Sequence, residues 1–230
     1  MKNKKYELLK DDTIKRYGVS KLYRIRALRD FGDVHKGDLG GYVETEDNLS
    51  HNGNAWIYHD AKVCGNARVY DNAKIYRNAS ISCNAEVYGY ARVGSNVRVY
   101  NNAKIYGDAW VYDDAIVSDN AKVHGNAEVH DKSIVCCDAE VCGDAEIYST
   151  ASICETAYIN TSDDYIIISN ICPEYNILTF YKCKDGEIRV SYDYSELDEF
   201  VECIKRKYGD KHAKKCTIAV NLVKVHFNLD

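Results

Sequence analysis

One apolar pattern with a period of six residues runs without interruption from Ala55 to Ile159. Each six-residue word places a small and an aliphatic residue two positions apart, as in Ala55 and Ile57, so both side chains point to the same side of an extended strand. The aliphatic residue is Val or Ile in all 18 words, and the small residue is Ala except at Val97 and Ser133. The pattern predicts 18 short strands that share one buried face.

Polar residues fill the two positions between successive strands. Gly65-Asn66 and Gly107-Asp108 are examples, and the residue before the small position is Asn or Asp in 14 words. These pairs are typical of tight corners, because Gly, Asn and Asp adopt left-handed backbone conformations more readily than other residues. Three words would close one triangular coil, so the repeat predicts about six coils stacked roughly 4.8 Å apart.

The six-residue signature resembles the hexapeptide-repeat superfamily of left-handed parallel β-helices, best known for trimeric acyltransferases. The resemblance covers about half of the chain and implies left-handed winding. It departs from the superfamily after the aliphatic residue, where a small or acidic residue is common and this chain often has Tyr, Cys or His. A second resemblance, to a bacterial and phage family of β-helix proteins labelled transferases or polymer-forming proteins on fold grounds, lies in LYRIRAL (22–28), GDV (32–34), GDLGG (37–41) and NLS (48–50).

The segments on either side of the repeat predict two further units. Residues 1–48 alternate apolar and polar positions in short stretches, which favours a small β cap with short strands at 6–9, 13–17 and 22–28 and a turn over 18–21. The repeat register reaches back to Leu49 and Val43. Residues 161–230 predict three strands followed by a helix. The predicted division is a cap at 1–48, a left-handed β-helix at 49–160 and an α+β domain at 161–230.

The last segment, residues 212–227, fits two patterns. Ile218, Val220 and Leu222 alternate as in a strand. A helical seam is the other reading, and we prefer it. Its members are Ala213, Cys216, Val220, Val223 and Phe227.

Composition favours a soluble cytoplasmic protein. No apolar run approaches the length of a membrane span, and no apolar signal core follows the N-terminus. In the cytoplasm the ten cysteines are expected to be reduced thiols. Cys136 and Cys154 stack 18 residues apart, as do His124 and Cys142, but two ligands do not make a metal site and no CxxC pair occurs, so we predict no metal and no cofactor.

The charge of the repeat changes sign along its length. Residues 55–106 carry seven Lys or Arg against three Asp or Glu, whereas residues 107–160 carry two against eleven. This polarity is consistent with charged partners, with head-to-tail packing, or simply with solvated faces. Nucleic-acid binding is disfavoured because the acidic half repels phosphate.

The residue after each aliphatic position is predicted to face outward and to stack on the residue 18 positions later. Large aromatic rings on such ladders anchor protein interfaces, although Tyr also suits an exposed sheet surface with no further role. The candidate binding residues are Tyr58, Tyr70, Tyr76, Tyr88, Tyr106 and Tyr112.

Catalysis is the weaker hypothesis. Acyltransferases of the superfamily use a His as general base and a loop extruded from the helix, whereas here no residue is inserted between the 18 words. His124 and His130 are the candidate bases, but their spacing of six places them on different faces. We therefore predict a non-enzymatic binding or scaffold protein that engages a protein partner, a host protein if the gene is phage-borne.

Two alternative functions stay open at this stage. One is an acyltransferase that uses acyl-CoA at a subunit interface, and the other is a sponge for a small nucleotide signal. A homo-oligomer assembled through the C-terminal domain, or through the flat faces of the triangular prism that the stacked coils form, is compatible with all three functions.

Overall fold

A computed structural model describes residues 4–16, 19–172, 176–191 and 195–229. The chain is mainly β and forms a triangular solenoid of about seven turns, with antiparallel strands at its N-terminal end and a small sheet plus two helices at its C-terminal end. The predicted fold class is therefore confirmed.

The 18 words form 18 two-residue strands, which alternate among three parallel sheets. Sheet 1 contains Lys62–Val63, Ser80–Ile81, Arg98–Val99, Ile116–Val117, Ile134–Val135 and Ser152–Ile153. Sheet 2 contains Trp56–Ile57, Lys74–Ile75, Arg92–Val93, Trp110–Val111, Glu128–Val129 and Glu146–Ile147. Sheet 3 contains Arg68–Val69, Glu86–Val87, Lys104–Ile105, Lys122–Val123, Glu140–Val141 and Tyr158–Ile159. Paired residues lie 18 positions apart, as Val93 and Val111 do.

The small and aliphatic positions of every word fill the core of the solenoid. All of them are at most 1% exposed. Ser133, the one polar member, satisfies its hydroxyl by donating a hydrogen bond to the His130 carbonyl oxygen at 2.7 Å. Burying each Val or Ile contributes roughly 1.5–3 kcal/mol, and a turn can bury its residues only against its neighbours.

The solenoid begins before the first complete word. Strand Leu39–Val43 joins sheet 1 in parallel with Lys62–Val63, and Leu49 forms a bridge to Val69 in sheet 3. These imperfect coils account for a count of about seven turns where the 18 words alone predict six.

The corners differ in one detail from the sequence expectation. The left-handed residue is the first of each corner pair, with φ between 52° and 71° at all 18 such positions from Gly53 to Glu155. The second position, rich in Asn and Asp, forms a ladder of side-chain hydrogen bonds instead. Asn84 Nδ2 donates to Asn102 Oδ1 and Asn102 Nδ2 to Asn120 Oδ1, each at 3.0 Å. The Asn preference therefore reflects bonding between turns.

The N-terminal end is closed by two antiparallel strands, Tyr6–Arg16 and Val19–Ala27, which continue into Leu39–Val43. The first is one strand with an irregularity between Leu9 and Thr13, where two short strands were expected. The predicted turn over 18–21 lies partly outside the described residues. A 3₁₀ turn, Glu46–Asn48, leads into the solenoid.

The C-terminal end has its own core. After a 3₁₀ turn, Ser162–Asp164, strands Tyr165–Ser169, Ile177–Lys182 and Ile188–Val190 form an antiparallel sheet. Helices α1 (Leu197–Tyr208) and α2 (Asp210–His226) cover it. The helical interpretation of 212–227 is confirmed. All five residues of the predicted seam are buried, and all but Ala213 belong to this core. Among the described residues, no helix is long and apolar enough to cross a membrane.

Candidate functional site

The tyrosine ladder on the sheet 3 side is continuous. The centroids of the Tyr70 and Tyr88 rings are 4.8 Å apart, those of Tyr88 and Tyr106 5.0 Å, and those of Tyr106 and His124 4.6 Å, with interplanar angles of 7° or less. The Arg68 guanidinium covers the first ring at 5.5 Å from its centroid. The predicted stacking is confirmed here, and the faces of neighbouring rings pack against one another.

The ladder on the sheet 2 side is interrupted at its centre. Tyr58 stacks on Tyr76 at 4.8 Å and Tyr112 on His130 at 4.7 Å, but Gly94 occupies the position between these pairs. The ladder also reaches the N-terminal cap, because the Tyr58 hydroxyl donates a hydrogen bond to Asp33 at 2.8 Å.

The spacing of the rings limits what the ladders can bind. A planar ligand inserted between two rings would need about twice the separation of one stacked pair, and the turns hold neighbouring rings only 4.6–5.0 Å apart. The pKa of Tyr70 is raised to about 12, mainly by burial and next by the negative charge of Glu86, so its phenol is neutral at physiological pH. Burial likewise raises the pKa of Tyr88 and Tyr106, so the three tyrosines of this ladder present neutral ring edges to solvent.

Each candidate base is paired with a glutamate. His124 Nε2 lies 3.0 Å from Glu140 Oε1, and His130 Nε2 lies 3.0 Å from Glu146 Oε1. The two histidines sit on different sheets, as their spacing predicts. His124 and Cys142 were expected to stack on one face. In the structure His124 bonds to Glu140, and Cys142 Sγ lies 3.6 Å from Asn160 Oδ1.

A groove of about 530 Å³ follows the corner between sheets 2 and 1. Its walls are the paired corner residues of five successive turns, and all of these residues are polar or charged. The lining residues are Arg77, Asn78, Ser95, Asn96, Asp113, Asp114, Asp131, Lys132, Ser149 and Thr150. The candidate histidines are not among them.

Helix α2 carries a second apolar face that sequence analysis missed. Ile218, Leu222 and Val225 are 71%, 53% and 73% exposed, and Leu229 is 42% exposed. Ile218, Leu222 and Val225 are four and three residues apart, which places them along one side of the helix, and Leu229 follows just beyond the helix end at His226. The Leu229 N–H donates a hydrogen bond to the Lys224 carbonyl oxygen at 2.8 Å, so Leu229 stays close to the last turn of the helix. We call these four residues the outer stripe.

The signal for the outer stripe was present in the sequence. Ile218 and Leu222 were assigned to the alternating pattern of the strand alternative. The helical interpretation used only the predicted seam on the opposite face, which begins at Ala213 and ends at Phe227. Only the exposure of the four side chains separates the two faces.

No protein-family model matches the chain, and no curated protein matches its sequence. The β-solenoid itself is the part of the hexapeptide-repeat resemblance that the structure bears out.

Proposed function

We propose that the chain is a non-enzymatic binding protein that holds a protein partner on helix α2 and uses the solenoid as a rigid support. The outer stripe carries this proposal. Ile218, Leu222 and Val225 are exposed at 4-3 spacing on a helix whose opposite face is buried in the core that contains Phe180 and Phe200. Contiguous exposed apolar surface commonly marks a protein interaction site, and this spacing suits a helix laid alongside.

The charges around the stripe define the partner's chemistry. Lys211 and Lys214 lie seven and four residues before Ile218, so they extend the same face toward the start of the helix, and both are exposed. Near the other end, Lys224 pairs with Asp198 at 3.3 Å and His226 Nε2 lies 3.0 Å from the Asp163 carbonyl oxygen. Two copies paired in parallel through this face would bring Lys211 and Lys214 of one copy against those of the other.

The complementary partner is therefore an amphipathic helix with an apolar seam and acidic residues beside it. Such a helix would bury the outer stripe and pair with the lysines, and the lysines would make its binding sensitive to salt.

The solenoid contributes stiffness to this function. The solenoid contacts both flanking units, through Tyr58 and Asp33 at the N-terminal end and through Glu140 and Lys184 at the C-terminal end. A partner held on α2 would keep a fixed position relative to the whole prism. The six tyrosines stay predicted binding residues, as ring edges available to a large partner.

A synthetic peptide tests the proposal. The probe is a helix-forming peptide with leucines at 4-3 spacing and glutamates on its flanks, and the reference is a scrambled peptide of the same composition. Fluorescence anisotropy is expected to show saturable binding of the probe alone, weakened by added salt. Leu222→Ser is expected to weaken binding about tenfold or more, as the loss of an interface anchor does. Lys214→Glu is expected to weaken binding and to reduce its salt dependence.

Asn221→Ser is the matched control, because Asn221 is exposed on α2 beside the stripe but not on it. Equal binding of the two peptides, or equal losses in Leu222→Ser and Asn221→Ser, would contradict the proposal. Sedimentation as a dimer that Leu222→Ser converts to a monomer would identify a second copy as the occupant instead.

The acyltransferase and nucleotide-sponge alternatives have direct tests. Calorimetry with acetyl-CoA addresses the first, with His124→Ala and His130→Ala as comparison variants. Thermal-shift measurements with cyclic nucleotides address the second. Saturable binding of either ligand would argue against the binding-protein proposal.

A further inference from the structure

Three thiols and one carboxylate meet at the corner between sheets 1 and 3. Cys136 and Cys154 occupy the same position in successive turns, and their Sγ atoms are 2.8 Å apart. Cys137 is the next residue along the chain, and its Sγ lies 3.8 Å from that of Cys136. Asp119 completes the group, since one ligand atom from each of Asp119, Cys136 and Cys137 lies within 4.8 Å of the others.

The repeat brings these residues together. Asp119 and Cys137 are left-handed corner residues 18 positions apart, with φ of 59° at both, so they stack as the strands do. The Cys137 N–H donates a hydrogen bond to Asp119 Oδ2 at 3.3 Å. Within this group, sequence analysis paired only Cys136 with Cys154, although Asp119 and Cys137 stand in the same 18-residue register.

Neighbouring side chains hold the carboxylate in place. Asn101 Nδ2 donates to Asp119 Oδ1 at 2.8 Å, and the Ser118 hydroxyl donates to Asp119 Oδ2 at 3.1 Å. Such hydrogen bonds are the usual means by which a protein orients a metal ligand. Cys154 is buried and the other three residues are half-buried, so the group is enclosed on one side and accessible on the other.

The distances suit a thiolate metal site. A tetrahedral site with metal–sulfur bonds of about 2.3 Å has sulfur–sulfur edges of about 3.8 Å, which is the Cys136–Cys137 separation. The Cys136–Cys154 pair is about 1 Å closer than such an edge, and a side-chain rotation of Cys154 can open it. It is also longer than a disulfide bond, which is about 2.05 Å.

We propose that Cys136, Cys137, Cys154 and Asp119 bind one thiophilic divalent ion of the Zn²⁺ class. Each coordinating thiol releases its proton to solvent as its sulfur–metal bond forms, and no electron is transferred. The ligands come from three successive turns, so the ion would fasten these turns together at the end of the solenoid that carries the C-terminal domain. There the Ser152 N–H already bonds to Thr179 Oγ1 at 3.0 Å.

The test is a titration of the reduced full chain with Cd²⁺, followed by the sulfur-to-metal charge-transfer absorption. One ion per chain is expected, together with a rise in the midpoint of thermal unfolding. Cys137→Ser and Cys154→Ser are each expected to lower the affinity about tenfold or more and to reduce the absorption. Asp119→Asn is expected to weaken binding but keep the sulfur absorption, because its oxygen does not contribute to that band.

Cys83→Ser is the matched control. Cys83 occupies the same corner position as Cys137, is exposed, and lies three turns away, so its loss is expected to leave the titration unchanged. Circular dichroism of each variant separates lost binding from lost folding. Absence of the absorption in the folded wild type would overturn the proposal, as would equal losses in Cys83→Ser and Cys137→Ser. Loss of two thiols from the free-thiol count after the reductant is removed, seen in wild type but not in Cys154→Ser and without metal binding, would assign Cys136 and Cys154 to a disulfide instead.

Discussion

Tyr88 and Tyr106 stack with ring centroids 5.0 Å apart and planes 3° apart, and Tyr70 covers the other face of Tyr88 at 4.8 Å. The ring of Tyr88 therefore interacts with an aromatic neighbour on both faces. Each such pair contributes about 0.5–1.5 kcal/mol beyond simple burial. The ladder is thus a structural element of the solenoid, whatever its edges bind.

Tyr88→Ala is expected to lower the free energy of unfolding by about 1–3 kcal/mol, because two ring contacts disappear together. Tyr88→Phe keeps both rings and is expected to stay close to wild type. Denaturant unfolding followed by circular dichroism measures the difference. Tyr90→Ala is the control, since Tyr90 is an exposed corner residue outside the ladders. Equal losses in Tyr88→Ala and Tyr90→Ala would show that stacking adds nothing.

Two glycines of the solenoid are expected to respond to alanine in opposite directions. Gly107 has a φ of 71°, and a Cβ there would lie 3.0 Å from the Gly125 nitrogen. Gly94 lacks a positive φ, and the nearest atom to a Cβ there would be 3.7 Å away, at ordinary contact distance. Gly107→Ala is expected to destabilise the chain by about 1–3 kcal/mol, and Gly94→Ala to stabilise it by about 0.5–1 kcal/mol. Thermal unfolding of the two variants measures both shifts. Destabilisation by Gly94→Ala would mean that the gap in the sheet 2 ladder is more crowded than its contacts indicate.

Lys5 gives the solenoid an alkaline pH dependence. Its side chain is fully buried, with Nζ 2.8 Å from the Ala55 carbonyl oxygen. Burial, followed by the charge of Arg29, lowers the pKa of Lys5 to about 8. Between that value and the unfolded pKa of about 10.4, the unfolded chain holds a proton that the folded chain lacks, so stability rises with pH.

The free energy of unfolding is therefore expected to increase by about 2 kcal/mol more in wild type than in Lys5→Met between about pH 8 and pH 10. Urea unfolding at several pH values measures the two slopes, and subtracting the variant removes every other titrating group. Parallel slopes would mean that Lys5 keeps an ordinary pKa.

The architecture was predictable because one repeated pair of buried positions determines it. Ala and Val or Ile two positions apart, repeated every six residues, leave a single arrangement that buries all of them, and Val93 pairs with Val111 as that arrangement requires. The ladders followed from the same period, since Tyr70 and Tyr88 are one turn apart.

The binding features were less predictable because they depend on exposure and on corner geometry. Leu222 fits a strand pattern as well as a helix face, and only the packing of the inner seam shows that it faces solvent. Cys137 and Asp119 are one turn apart, as Tyr70 and Tyr88 are, but the left-handed backbone at both corner residues sets the direction of their side chains. Asn102 was expected to favour a left-handed corner backbone. Its side chain instead bonds to Asn120 in the next turn.

The last ladder residue, His124, leads into the contact between the solenoid and the C-terminal domain. Glu140 accepts a hydrogen bond from His124 at 3.0 Å and pairs with Lys184 Nζ at 3.1 Å. Burial alone would raise the pKa of Glu140, but the hydrogen bonds from His124 and Lys184 outweigh it and lower that pKa. A carboxyl with a lowered folded pKa stabilises the protein above its unfolded pKa of about 4.3, and this contribution is lost as pH falls through the folded pKa.

Glu140→Gln is therefore expected to lower the free energy of unfolding by about 1–2 kcal/mol at neutral pH, and the difference from wild type is expected to disappear in acid. Glu146→Gln is the matched control, because Glu146 faces His130 at the same distance but is more exposed. Its effect is expected to be smaller, as for a surface ion pair. Urea unfolding at neutral and acidic pH compares the three proteins, and a Glu140→Gln deficit that persists in acid would assign the loss to packing rather than to charge.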